Sequence, residues 1–87
     1  MTKINIYCLF EGTDLFHGVY SSLKAVHRDA LKLCNKGTTQ VYVKSSEGPK
    51  AVSLTLLRNM FKGELDVKIE YRAGPHSATI IKTKLRE

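Results

Sequence analysis

The sequence has little of several residue types, and each shortage argues against a class of protein. It contains no tryptophan, two prolines and two cysteines, Cys8 and Cys34, which form no CxxC pair. The cysteines therefore predict neither a zinc site nor a redox motif, and their apolar neighbours predict free, buried thiols. No segment approaches the roughly 20 apolar residues of a membrane span, and the N-terminal residues do not resemble a signal peptide. We expect a cytoplasmic protein that uses no membrane, metal or cofactor.

Acidic residues are also scarce relative to basic ones. Eight Asp and Glu residues stand against fourteen Lys and Arg residues, which gives a formal net charge of +6 and a pI near 9.5. This balance favours an anionic partner, which can be nucleic acid, an acidic protein surface or anionic lipid. The 87 residues, 43% of them hydrophobic, predict a single small basic domain over residues 1–87. Its core is limited by size, so dimerisation is a reasonable expectation.

Hydrophobic periodicity predicts two helices and five strands. Residues 3–10 alternate with period two, and residues 15–20 return as a second strand after the turn EGTD. An apolar stripe at helical spacing covers residues 22–35, with Ser21 or Ser22 as N-cap and Gly37 as C-cap. A second helix is predicted for residues 53–63, although residues 50–56 also alternate well enough to be extended. Strands are predicted for 38–46, 64–72 and 78–87. The order β-β-α-β-α-β-β predicts an α+β domain, a mainly antiparallel sheet with two helices on one face.

The first strand is apolar on both faces, so one face has to be chosen for the core. We assign to the core one set of alternate residues: Ile4, Ile6, Cys8 and Phe10. Tyr7 and Leu9 then point outward, and with Tyr42 of the third strand they predict a homodimer interface through the sheet face or an edge strand. The competing hypothesis is that Tyr7 and Tyr42 stack on nucleobases.

The first helix has a row of basic residues at intervals of four, which we call the basic row. Its members are Lys24, Arg28, Lys32 and Lys36. The row lies opposite the apolar stripe and advances by about 6 Å per step, a spacing suited to successive phosphates of a nucleic-acid strand. Each like-charged pair at i,i+4 costs a few tenths of a kcal/mol, and this loss favours a binding role. The alternative is an ordinary solvated helix face.

Other basic and aromatic residues extend the predicted nucleic-acid-binding set. Arg58 and Lys62 repeat the four-residue spacing on the second helix. The remaining members of the set lie between the two helices: Tyr42, Lys44 and Lys50. If both helices pack on the same side of the sheet, their basic residues can form one surface.

The histidines do not form a catalytic pattern. His17 lies in the predicted hairpin, His76 follows a Gly-Pro turn, and His27 lies on the apolar edge of the first helix, where we expect it to be packed and hydrogen-bonded. The sequence has no Walker loop, GxSxG motif or dinucleotide fingerprint. We therefore predict a non-enzymatic protein with no catalytic or metal-binding residues.

The segment FHGVYSSLKAVHRDALKLC, residues 16–34, resembles a local pattern of small early proteins of tailed phages. In that pattern a strand ending in Gly-Val-Tyr-Ser-Ser precedes an alanine-containing amphipathic helix. Together with its basicity, the chain resembles phage counter-defence proteins, most of all the RNA-binding inhibitors of RNA-regulated endoribonuclease toxins, the TifA type. The resemblance covers about a quarter of the chain and assigns no site residues.

This resemblance implies a small basic protein in the cytoplasm of the host cell, expected to be a homodimer. Such a protein binds RNA and neutralises the host toxin in a shared protein–RNA complex. The alternative hypothesis is a phage inhibitor that docks directly on an acidic surface of a host enzyme or another host defence protein, without nucleic acid.

Overall fold

The computed structural model describes residues 4–34, 40–44, 48–62 and 68–85, which form an α+β fold. The elements, in chain order, are β1 (Ile4–Glu11), β2 (Leu15–Tyr20), α1 (Leu23–Cys34), β3 (Tyr42–Val43), β4 (Lys50–Ala51), α2 (Leu54–Phe61), β5 (Lys68–Ala73) and β6 (His76–Leu85). The predicted fold class is confirmed. The predicted order lacks β4, whose two residues begin segment 50–56; its alternation also allowed an extended segment, but we chose the helix that begins at residue 53.

The strands form one antiparallel sheet of six strands in the order β2-β1-β6-β5-β3-β4. The β1–β2 hairpin turns at Gly12, whose φ of 66° lies in the left-handed region that glycine adopts without a Cβ clash. The Gly12 N–H also donates to the Ser77 carbonyl at 2.9 Å, which ties the turn to β6. The predicted turn EGTD is therefore confirmed.

Serine side chains begin both helices. Ser22 Oγ accepts a hydrogen bond from the Ala25 N–H at 3.4 Å, and Ser53 Oγ accepts one from the Leu56 N–H at 3.1 Å. Each bond satisfies an amide that has no partner inside its helix. The predicted N-terminal ends are thus confirmed, whereas the predicted stops at residues 35, 37 and 63 lie outside the described residues.

Both helices pack on one face of the sheet. The helix residues that are fully or almost fully buried are Val26, Ala30, Cys34, Leu57 and Phe61. The strands supply the other side of this core with Leu9, Val43, Ile69, Tyr71, Ala78 and Ile80. Within the described residues, no helix covers the opposite face of the sheet, which we call the open face.

Our prediction for the two faces of β1 is wrong. Leu9 is 0% exposed and Tyr7 is 8% exposed, and the Tyr7 ring meets Phe61 edge-on with centroids 5.5 Å apart. Ile6, Cys8 and Phe10 lie half-buried on the open face, and the side chain of Ile4 lies outside the described part of the structure. Tyr7 and Leu9 therefore do not form a dimer interface.

The error has a simple physical cause. A period-two pattern shows that alternate residues share a face, but it does not show which face the helices will cover. In β1 both sets of alternate residues are apolar. The register settles the choice, because Leu9 pairs with Ile80 and Tyr7 pairs with Lys82 on the face beneath the helices.

Candidate nucleic-acid interface

Lys24, Arg28 and Lys32 lie on the solvent side of α1, as the sequence predicts. All three side chains are exposed, and the Arg28 side chain is 66% exposed. They are held there because the opposite side of the helix is buried through Val26 and Ala30. The fourth predicted member of the basic row, Lys36, lies outside the described residues.

Asp29 is the only acidic residue of α1, and its carboxylate is bonded both to Tyr20 of β2 and to Arg28 of the basic row. The Tyr20 hydroxyl donates to Asp29 Oδ2 at 2.5 Å, whereas Arg28 Nε donates to Oδ1 at the longer distance of 3.5 Å. The Asp29 side chain is 25% exposed. The contact with Arg28 is therefore a weak surface ion pair that leaves most of the guanidinium accessible.

The Tyr20–Asp29 hydrogen bond also changes how both groups titrate. The bond from Tyr20 lowers the pKa of Asp29 below its usual value, so the carboxylate stays charged. Burial, together with the bond to Asp29, raises the pKa of Tyr20 to about 12, so its hydroxyl remains a donor. Both effects stabilise the link between α1 and β2.

Arg58 and Lys62 belong to the same helical layer but do not form a second regular row. Arg58 is exposed in the last turn of α2, which packs beside α1. Lys62 follows the end of α2 in an extended conformation, where its N–H donates to the Asn59 carbonyl at 3.4 Å. Its side chain is exposed, so both cations add charge to the helical side of the molecule.

Tyr42 and Lys44 lie on the open face, opposite the basic row. Val43 between them is fully buried, so its two neighbours point away from the helices. Tyr42 is 40% exposed. Lys50 pairs with Val43 across β3 and β4 and is half-buried, on the helical side of this edge. The structure thus divides the predicted set between two surfaces instead of joining it into one.

One buried cation, Lys82, had no role in our sequence analysis. Lys82 is 7% exposed, and its Nζ donates to the Phe61 carbonyl at 2.6 Å, at the C-terminal end of α2. A cation is stabilised there by the unpaired carbonyls of the helix end. Lys82 is in phase with Ile80 on β6, so period-two alternation would have placed it inward.

His27 shares a hydrogen bond of 2.6 Å between its Nδ1 and the Tyr71 hydroxyl, which confirms the prediction of a packed histidine. Burial lowers the pKa of His27 and raises that of Tyr71. A neutral imidazole beside a protonated phenol is the form that this low-dielectric site favours. His17 lies exposed on β2, and His76 begins β6 after the turn at residues 74–75.

Other kinds of site are not found in the described part of the chain. Its His, Cys, Asp and Glu side chains form no group of three suited to a metal ion. Cys8 and Cys34 are not joined in a disulfide, and Cys34 is buried. Within the same residues, no helix combines the length and apolar character needed to cross a membrane.

Fold and surface together define a small antiparallel α+β protein with a basic helical side and an open sheet face. Comparison with protein-family models, with curated proteins and with solved structures finds no match to the chain.

Proposed function

We propose that this chain is a non-enzymatic RNA-binding protein whose basic row contacts phosphates without reading sequence. The supporting observation is the exposure of Lys24, Arg28 and Lys32 on successive turns of α1, while the one acid of that helix is bonded to Tyr20. Contacts to phosphates fix position and affinity but contain no sequence information.

The charge pattern of α1 favours binding over simple solvation. Its first turn contains no acid that would offset Lys24 or complement the helix dipole. Two like-charged pairs, Lys24–Arg28 and Arg28–Lys32, each destabilise the helix by a few tenths of a kcal/mol. Phosphates of a bound nucleic-acid strand neutralise these charges, which removes the repulsion and releases counterions. The repulsion that destabilises the free helix is therefore relieved in the complex, and this relief increases the affinity.

The biological role that we propose is inhibition of a host toxin–antitoxin endoribonuclease by a phage-encoded protein, in a shared protein–RNA complex in the host cytoplasm. The support is the resemblance of residues 16–34, a segment that contains β2 and α1 and therefore the basic row. The alternative is direct docking of the same row on an acidic surface of a host enzyme.

We propose in addition that the protein forms a homodimer, through the open face rather than through Tyr7 and Leu9. Six apolar residues of β1, β2 and β6 share this face and form what we call the apolar sheet patch: Ile6, Cys8, Phe10, Phe16, Val19 and Ile81. A register shift after Leu9 brings Phe16 opposite Phe10, with ring centroids 5.6 Å apart. Phe16 is 57% exposed and Val19 is 56% exposed.

A second copy of the chain is the occupant that we propose for the apolar sheet patch. The basic row lies on the other side of the sheet, so two patches can meet without bringing two rows together. Three strands about 4.8 Å apart and about eight residues long cover on the order of 400 Å² per copy, which is less than the roughly 600 Å² per copy of the smallest stable interfaces. The expected dimer is therefore weak and depends on concentration.

Salt dependence tests the proposed RNA binding. Affinity for a labelled RNA should fall by orders of magnitude between about 50 and 200 mM salt if several phosphates are contacted. Absence of binding to any RNA at low salt would overturn the proposal. A pull-down from phage-infected cells, with and without nuclease, distinguishes a protein–RNA complex, which nuclease releases, from direct docking on a host enzyme, which it does not.

A further inference from the structure

A cavity of about 360 Å³ opens at the end of the open face formed by β3, β4 and β5. Its lining residues are Tyr42, Val43, Lys44, Pro49, Arg72 and Gly74. This volume lies at the small end of the range for ligand pockets, which suits one planar group with its attached sugar better than a large ligand.

The sheet register places an aromatic ring and two cations together in this cavity. Tyr42 on β3 pairs directly with Arg72 on β5. Lys44 lies two residues after Tyr42 on the same face, and its N–H donates to the Glu70 carbonyl at 3.2 Å, which holds the chain against β5. The Tyr42 hydroxyl donates to Gln40 Oε1 at 3.4 Å, and the residue as a whole is 40% exposed.

The combination matches the chemistry of an unpaired nucleotide. An exposed aromatic ring offers a stacking surface to any base, and flanking Lys and Arg side chains attract its phosphate. Glu70 is the one described acid near the cavity on this face, and Lys44, Lys68 and Arg72 outnumber it, so the local charge is positive.

We propose that this cavity binds an unpaired nucleotide, with its base stacked on Tyr42 and its phosphate contacted by Lys44 and Arg72. This inference rests on the proposed RNA binding, because the nucleotide is expected to be part of an RNA strand. It specifies the bound RNA as single-stranded. Arg72 was absent from the residues predicted by sequence, because an exposed arginine on a strand gives no pattern of its own.

The position of the cavity also limits the form of the RNA. The basic row and the cavity lie on opposite sides of the sheet, so an RNA that contacts both has to pass around its edge. A flexible single strand can follow this path, whereas a duplex is stiff over such a short distance. The protein should therefore bind a single strand more tightly than a duplex of equal length.

Tyr42→Ala and the matched variant Tyr42→Phe test the cavity. Binding is measured by fluorescence anisotropy with a single-stranded RNA of about 12 nucleotides and with a duplex of the same length. Tyr42→Ala should weaken single-strand binding about tenfold and leave duplex binding unchanged, while Tyr42→Phe should keep wild-type affinity because the ring remains. Wild-type affinity of Tyr42→Ala for the single strand would overturn the inference.

Titration with AMP and with UMP, followed by NMR, separates this inference from the proposed function. Shifts at residues 42–44 and 72–74 support the cavity as a nucleotide site. If the mononucleotides bind there but no RNA binds the wild type, the cavity serves a free nucleotide and the RNA proposal fails. If the wild type binds RNA, but AMP and UMP cause no shifts at these residues and Tyr42→Ala does not weaken RNA binding, the cavity inference is wrong and the RNA proposal stands.

Discussion

His27 lies between α1 and β5, with its Nδ1 bonded to the Tyr71 hydroxyl. Burial lowers the pKa of His27 from 6.5, so the unfolded chain takes up a proton more readily than the folded protein. The free energy of unfolding should therefore decrease as the pH falls below about 6.5. Asp29, whose pKa is lowered from 3.8 by Tyr20, affects stability only in a separate window below about pH 4.

Denaturant unfolding at a series of pH values, on the wild type and on His27→Gln, tests this prediction. The variant lacks the titrating imidazole but keeps a side chain able to hydrogen-bond with Tyr71. Its stability should depend less on pH between about 5 and 6.5 than that of the wild type. Equal slopes in this window would show that His27 is not the group responsible.

Substitutions of Leu9 and Val19 test which face of β1 and β2 is buried beneath the helices. Leu9 is 0% exposed beneath the helices, whereas Val19 is 56% exposed on the open face. Leu9→Ala should lower the free energy of unfolding by about 3 kcal/mol, because it leaves a cavity in the core. The matched variant Val19→Ala, measured at low protein concentration, should change it by less than about 0.5 kcal/mol. The reverse ranking would restore the face assignment made from the sequence.

Some of these residues could be assigned to the core or the surface from the sequence, and others could not. His27, Val26 and Ala30 could be placed from helical spacing alone, because polar and apolar positions of α1 fall on different sides. Leu9 and Tyr7 could not, because their neighbours Ile6, Cys8 and Phe10 are equally suited to burial. A strand that is apolar on both faces needs tertiary information to be oriented.

At the scale of elements, how well a helix or strand is predicted from the sequence depends on its length and on cap residues at its ends. The N-terminal end of α1 differs from its prediction by one residue, since the Ser22 cap and a long apolar stripe define it. For residues 50–56 the local pattern allowed both an extended segment and a helix, and the pairing of the two-residue strand β4 with β3 shows where the extended part lies.

We expect the apolar sheet patch on strands β1, β2 and β6 to mediate dimerisation. Sedimentation equilibrium over a wide range of concentration should show a weak monomer–dimer equilibrium for the wild type. Phe16→Ser with Val19→Ser should shift it toward monomer, because both side chains lose apolar area at the interface. Thr55→Ser, an exposed change on α2, is the matched control and should have no effect. A wild type that remains monomeric at the highest concentration would exclude this interface.

At the scale of the whole molecule, the sequence predicts the basic residues but not their separation into two surfaces. Lys24, Arg28 and Lys32 lie on the helical side, whereas Lys44 and Arg72 lie on the open face. The separation depends on which side of the sheet each strand residue faces, and that follows from the packing of both helices on a single face. The apolar sheet patch and the cavity at Tyr42 occupy different ends of the open face, so the proposed dimer would leave the cavity accessible.

The most direct test of the proposed function compares the salt dependence of RNA binding for the wild type and two triple variants. Lys24→Gln with Arg28→Gln and Lys32→Gln removes the described charges of the basic row but keeps good helix formers. Lys24→Arg with Arg28→Lys and Lys32→Arg changes the same positions and keeps every charge. Circular dichroism and unfolding should show that both variants fold like the wild type, since the three side chains are exposed.

If the basic row binds phosphates, the Gln variant should lose affinity for all RNA sequences alike. Its plot of log affinity against log salt concentration should flatten by about 0.7 for each lost contact with a single strand, and the charge-retaining variant should keep the wild-type slope. A Gln variant with wild-type affinity and wild-type slope would show that Lys24, Arg28 and Lys32 form only a solvated helix face.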